Sequence, residues 1–104
     1  MQNNQDLMKM LGGMDKLRES LAEVEKSLKN GSMTVASQNN LVSVSINHQQ
    51  EVLDLFIDNS LLSPARAGLL KASVVEAINE AVRSSRNKMI EETARVVSQF
   101  NTGG

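Results

Sequence analysis

Leu41-Val42-Ser43-Val44-Ser45-Ile46-Asn47 and, after the short connection His48-Gln49-Gln50, Glu51-Val52-Leu53-Asp54-Leu55-Phe56-Ile57-Asp58 carry the clearest pattern in the chain. In the first run Val42, Val44 and Ile46 alternate with Ser43, Ser45 and Asn47, a period of two with one apolar and one polar face. The second run alternates Leu53, Leu55 and Ile57 with Asp54 and Phe56. Upstream, Met33 and Val35 alternate with Thr34 and Ala36 before the polar turn Ser37-Gln38-Asn39-Asn40. Three short strands separated by turns predict an antiparallel meander with one face buried and one wet. The wet face carries Ser43, Ser45 and Asp54, with Val52 and Phe56 as apolar exceptions. Those two suit a subunit contact, and equally scattered surface apolars.

On the N-terminal side, Leu7, Met10, Met14, Leu17, Leu21, Val24 and Leu28 recur at alternating intervals of three and four, a heptad seam suited to helix pairing. Gly12-Gly13 interrupts its first turns at about 1 kcal/mol each, which predicts a helix that frays or starts only near Met14. Asn30-Gly31 reads as its stop, with Gly31 in the left-handed cap conformation. On the C-terminal side, Ser63 before Pro64 reads as an N-cap followed by proline at the first helical position. Leu70, Val74, Ile78, Ala81, Val82, Met89, Val96 and Val97 mark the apolar side of a long helix. That stripe lapses over Arg83-Ser84-Ser85-Arg86-Asn87-Lys88, which suggests a helix packed on the sheet first and then projecting beyond it. The order is α-β-β-β-α. One helix can cover the sheet, and the heptad-bearing one then has too few partners within a monomer, which points to a symmetric dimer.

Composition narrows the function. The chain has 104 residues, one domain's worth, with residues 1–6 and 101–104 expected as disordered tails. Two Phe, no Trp and no Tyr cannot build a base-stacking platform, and six Met make an aliphatic and thioether core. Zero Cys and a single histidine, His48, exclude disulfides, thiolate metal sites and His/Cys clusters, and leave no serine triad with a spare base. Asp54 and Asp58, about 13 Å apart on a strand face, are too distant for glycosidase or metal chemistry. No catalytic residue, metal ligand or cofactor is expected. No apolar run approaches the ~18 residues of a membrane span, and the polar start is not a secretory signal, so a cytoplasmic protein is expected.

The ordered set Leu41–Asn47, Glu51–Asp58, Leu61-Leu62, Leu69-Leu70, Ala77, Asn79-Glu80-Ala81 and Met89 resembles the YbaB/EbfC family of bacterial nucleoid-associated proteins over nearly the whole chain. Departures are visible. Asn40 stands where the family often has Gly, His48 replaces the Gly of Asn-Gly, Asn59 replaces a Pro after Asp58, and Glu80 replaces the usual Asp. The strand connection must therefore turn differently from a two-residue Asn-Gly hairpin. The resemblance implies a tweezer-like α+β homodimer, with a three-stranded antiparallel sheet and two long flanking helices per subunit. It further implies binding of double-stranded DNA at the nucleoid through charged residues on the helices.

Charge is nearly balanced, with 11 Lys+Arg against 12 Asp+Glu, yet phosphate contacts scale with their number and not with net charge. The strand block holds only the acids Glu51, Asp54 and Asp58. From Leu61 onward six basic residues face four acidic ones. The DNA-binding candidates are Arg83, Arg86, Lys88 and Arg95 there, with Lys9, Lys16 and Arg18 on the first helix. Arg83, Arg86 and Lys88 also suit a solvated helix face partnered by Glu80, Glu91 and Glu92. The dimer-interface candidates are Leu17, Leu21, Val24 and Leu28 of the seam, with Val52 and Phe56. A second reading is a protein-interaction module of the same fold, docking on another protein and binding DNA weakly or not at all.

Overall fold

Val42, Val44 and Ile46 are fully buried, and their strand lies at the centre of the protein. A computed structural model describes residues 4–101 and the side chains of 8, 9 and 11–100. Helix α1 spans Asn4–Asn30, strands β1, β2 and β3 span Ser32–Ala36, Val42–Asn47 and Val52–Ile57, and helix α2 spans Ala67–Asn101. The sheet order is β1-β2-β3, and both pairings are antiparallel. The expected α-β-β-β-α architecture is therefore present. Parts of the expected tails are helical, since residues 4–6 and Asn101 belong to α1 and α2, while 1–3 and 102–104 lie outside the described residues.

The first half of α2 covers β2, as the apolar spacing predicts. Ala77 and Ala81 join Val42, Val44, Ile46 and Leu61 in one buried cluster, with Val35, Ile57, Leu70, Val74 and Ile78 packed around it. The alanines let the helix backbone approach the branched side chains of β2 closely. Leu61 sits in a short 3-10 turn, Asn59–Leu61, capped by Asp58, whose carboxylate accepts the Ser60 N–H. That hydrogen bonding from Ser60 holds the Asp58 carboxyl below the usual carboxylate range. Truncating the wholly buried Leu61 to Ala should cost roughly 2–5 kcal/mol, read as a lower denaturant midpoint at unchanged slope.

Four local expectations are corrected. First, α1 runs unbroken through Gly12-Gly13, so it begins ten residues before Met14. Second, Gly31 ends α1 without a positive φ, and its N–H still donates to Ser27 O at 2.9 Å. Glycine is needed for space instead, because a Cβ there would lie 2.7 Å from the His48 ring. Third, Ser63 has the extended backbone of an N-cap but makes no capping bond, and Pro64–Arg66 form a 3-10 turn that leads into α2. Fourth, Val52 leaves the simple alternation. It pairs with Ile46 while Asp54 pairs with Ser45, so Leu53 is the extra residue of a bulge.

Both strand connections use left-handed residues. Asn40 has φ 58°, which explains why an Asn suits a position that otherwise favours Gly. Between β2 and β3 the turn occupies His48-Gln49-Gln50, with Gln50 at φ 63°. Asn47 organises it, since its Oδ1 accepts the N–H groups of Gln49 and Glu51, both at 3.0 Å. The expectation of a turn unlike the two-residue Asn-Gly hairpin therefore holds.

The same turn is where three elements meet. His48 N–H donates to Leu28 O, and Gln49 Nε2 to Glu25 O, tying the end of α1 to the hairpin. Ser85, fully buried on α2, donates to Asn47 O at 2.6 Å and accepts from Gln50 N and Nε2, both at 3.0 Å. The lapse in the apolar stripe is thus the point where α2 crosses the hairpin on a polar pin. Beyond it α2 leaves the sheet and runs antiparallel beside α1, with Met89, Thr93 and Val96 facing Leu21, Val24 and Leu28. The result is a rod of 77 × 18 × 16 Å with a radius of gyration of 20.9 Å, against about 13 Å for a compact domain of 100 residues.

Candidate nucleic-acid interface

The rod has a sheet end and a two-helix arm, and its cations are spread along the helices. At 100° per residue, Arg83 and Arg86 lie about 60° apart on the side of α2 turned from the sheet. Both are exposed. Lys88 lies roughly 160° around the helix from Arg86 and shares its face with Arg95, one heptad further on. The structure therefore brings the four α2 candidates together as two pairs, not as one patch. Sequence proximity of Arg83, Arg86 and Lys88 hides this division, because neighbours in a helix fan out around its axis.

Each pair has its own electrostatic setting. Arg83 donates to Glu80 one turn earlier. Arg86 forms no ion pair among the described residues. Lys88 and Arg95 both hold Glu92, with Lys88 Nζ 3.1 Å from a carboxylate oxygen. Arg95 first and Lys88 second keep the Glu92 carboxyl below the usual carboxylate range. Glu92, Arg95 and Gln99 border the groove whose other wall is Ser20, Glu23 and Ser27 of α1. All these pairs are at least partly exposed, and such pairs are worth only about 0–1 kcal/mol, so a phosphate can replace the carboxylate partner.

On α1, Lys9 and Lys16 are exposed one heptad apart and share a face, while Arg18 turns toward Asp15 at 3.9 Å. Lys9 and Lys16 have no ion-pair partner among the described residues. The candidate interface is thus a set of cations along the two helices, spaced over several turns beside an open groove between α1 and α2. That layout fits backbone contacts on an extended polyanion better than a small ligand.

The six residues expected at a subunit interface separate as well. Leu28 is buried, and Leu21 and Val24 are half-buried, all three against the chain's own α2. Leu17 is half-buried beside Met14. Val52 and Phe56 stay 48% and 58% exposed, next to Leu53 at 58%, Leu55 at 40% and Leu62 at 60%. Leu53, Leu55 and Leu62 extend the apolar surface beyond the two residues named from alternation. The bulge takes Leu53 out of the alternation, while Leu55 keeps its place opposite the buried Val44 and is exposed on the edge strand of the sheet.

Asn47, Gln50 and Ser85, which hold α2 at its angle to the sheet, escape a reading based on charge and hydrophobic period. The signal available was a serine pair at the break in an apolar stripe. A second pin lies at the other hairpin, where Asn39 Nδ2 donates to Ser73 Oγ and Gln38 N to Glu76 Oε1. Together these pins fix where Arg83 and Arg86 stand relative to the sheet. Among the described residues, no helix is long and apolar enough to cross a membrane.

The model of the YbaB/EbfC DNA-binding family matches residues 2–100. A nucleoid-associated protein of Sulfurovum sp. is 31% identical over 99 residues, covering 95% of this chain and 89% of its own length. A nucleoid-associated protein of Campylobacter hominis is 31% identical over 100 residues, covering 95% of this chain and 91% of its own. The crystal structure of an uncharacterized protein from Helicobacter pylori superposes with a TM-score of 0.59 at 28% identity, covering 72% of this chain and 87% of that one.

Proposed function

Because the chain belongs to the YbaB/EbfC DNA-binding family, we propose that it is a nucleoid-associated protein that binds double-stranded DNA as a homodimer. The match over residues 2–100 carries this reading. The exposed cations supply the chemistry. Arg83 and Arg86 on one face of α2 contact phosphates, Lys88 and Arg95 exchange Glu92 for phosphate on the other, and Lys9, Lys16 and Arg18 extend the track along α1. Such contacts act through counterion release and carry little sequence preference. Chromosome organisation or gene expression is the process affected. No cofactor and no catalytic step enter this reading.

Dimerisation is assigned to β3. This strand is a sheet edge, and Val52, Leu53, Leu55 and Phe56 are all exposed along it. An open apolar edge invites strand pairing, and proteins that keep one usually cover it. The opposite edge strand, β1, exposes Ser32, Thr34 and Ala36 instead. A symmetric pair joined at β3 doubles the phosphate contacts and sets two arms at a defined separation.

Fluorescence anisotropy with a mixed-sequence duplex over a salt series tests the proposal. A log–log slope of about −3 or steeper is expected, and absence of binding at low salt would refute it. Glu92→Gln should raise affinity roughly tenfold at ~0.1 M salt and steepen the slope, because it frees Lys88 and Arg95. A second reading draws on the pairing of Arg83, Lys88 and Arg95 with acidic neighbours. On that reading the arms dock on another protein, and a nuclease-treated pull-down recovers one partner from variants that no longer bind DNA.

A further inference from the structure

The α1 seam is covered along only part of its length. Ser20 and Gln99 are the outermost residues lining the groove between the helices, and α2 ends at Asn101 within the described residues. The stretch 4–17 of α1 therefore projects about 21 Å beyond α2, at 1.5 Å per residue. It carries the seam positions Leu7, Met10, Met14 and Leu17. Met8, Leu11 and Met14 are 70%, 52% and 54% exposed. Met14, Leu17, Arg18 and Leu21 line a shallow recess where the covered part of the seam passes into the open part.

We propose that this tip pairs with the tip of a second copy in an antiparallel two-helix joint centred near Met10-Leu11. The occupant follows from continuity with the intrachain contact. Helix α2 lies antiparallel to α1 on the seam from Leu21 to Leu28, and its Gln99 stands beside Ser20. In a two-fold joint the second copy's tip also lies antiparallel to α1, on the same seam, and continues the line that α2 leaves. Each copy leaves a step as long as its own tip, so one joint fills both steps. A Cβ at Gly12 or Gly13 would meet no atom of another segment within 4 Å, and the missing side chains permit close approach of a second helix. Charge offers no opposition, since Lys9 and Lys16 balance Asp6 and Asp15 along this stretch. An isolated helix of this length is marginal in water, and the joint gives it a partner.

The joint is separate from the β3 contact, which lies at the sheet end of the rod. With both contacts present, dimers joined at β3 would link tip to tip into longer assemblies; that consequence rests on the dimer reading, whereas the joint does not. A small interface of this kind is expected to half-assemble at roughly 10–100 µM chain. It would tighten on DNA, where neighbouring dimers are held at high effective concentration.

Sedimentation of the full chain across concentration tests it with three variants. Wild type should exceed a dimer as concentration rises. Met14→Lys should stop at the dimer with its DNA affinity per dimer retained, and Phe56→Lys should retain a weak, concentration-dependent pair. Combining the two should leave a monomer. Met14→Lys assembling as wild type does, or a wild type that never passes the dimer, would overturn the joint. Orientation has its own readout because the chain has no cysteine. A mixture of Leu7→Cys and Met14→Cys chains should oxidise to mixed pairs several-fold more than either alone, and more than Ala22→Cys. Preference for like pairs, or no excess over Ala22→Cys, would refute the antiparallel arrangement.

Discussion

Phe56→Lys is expected to dissociate the dimer, so that at low micromolar concentration the protein sediments near the 11.3 kDa of one chain. Phe56 is opposite Ser43 on the outer side of β3 and 58% exposed, so its loss removes little from the subunit's own core. Helical content and the thermal midpoint of the subunit should change little. The dimer is different, because two-fold symmetry counts every change twice. Burying a Phe is worth roughly 1.5–3 kcal/mol, and an unpaired Lys in its place adds a desolvation cost. Twice that loss corresponds to a dissociation constant raised by about a thousandfold or more. DNA affinity should fall with it, since a single arm makes half the contacts. An unchanged mass would remove β3 from the interface. Retained DNA affinity in a proven monomer would show that one arm suffices.

Arg83→Glu combined with Arg86→Glu is the second large effect. These two cations share a face, and Arg86 has no ion pair among the described residues, so on the proposed reading it binds a phosphate without first giving up a carboxylate. In a dimer the double substitution removes four contacts. With a contribution of about 0.9 per contact to the salt slope, the slope should flatten by about 3.6, and affinity near 0.1 M salt should drop roughly a thousandfold. Stability should shift by less than about 1 kcal/mol, because the Arg83–Glu80 pair is exposed. Unchanged affinity would move DNA away from this face, toward Lys88 and Arg95 or to the first helix. The Lys88/Arg95 pair can be told apart from it by Glu92→Gln, which acts on that side only.

Alternation in 42–47, the heptad recurrence from Leu7 to Leu28 and the apolar stripe of α2 were legible without coordinates, because each is local, whereas the capped, proline-led start of α2 gave way to a 3-10 turn and the alternation of 52–57 to a bulge. A strand's faces repeat every two residues and a helix's every three or four, so the pattern of apolar residues states the element directly. The same logic placed the projecting half of α2, from the break at Arg83–Lys88. Gly31 shows where local reasoning stops. Its position after a helix suggested a left-handed cap, yet the constraint comes from the ring of His48, which belongs to a different turn.

Long-range contacts settled the remaining points. Leu21, Val24 and Leu28 form the same seam whether a second chain or the chain's own α2 covers them, and only the angle at which α2 crosses the hairpin selects the latter. That angle is held by Ser85, Asn47 and Gln50, whose bonds join residues 35 and 38 positions apart. The separation of Arg83 and Arg86 from Lys88 and Arg95 gains its meaning in the same way, once one side of α2 is known to face α1. Periodicity tells which residues share a face. What that face meets depends on packing between distant segments, and in this protein a small buried serine at the crossing fixes it.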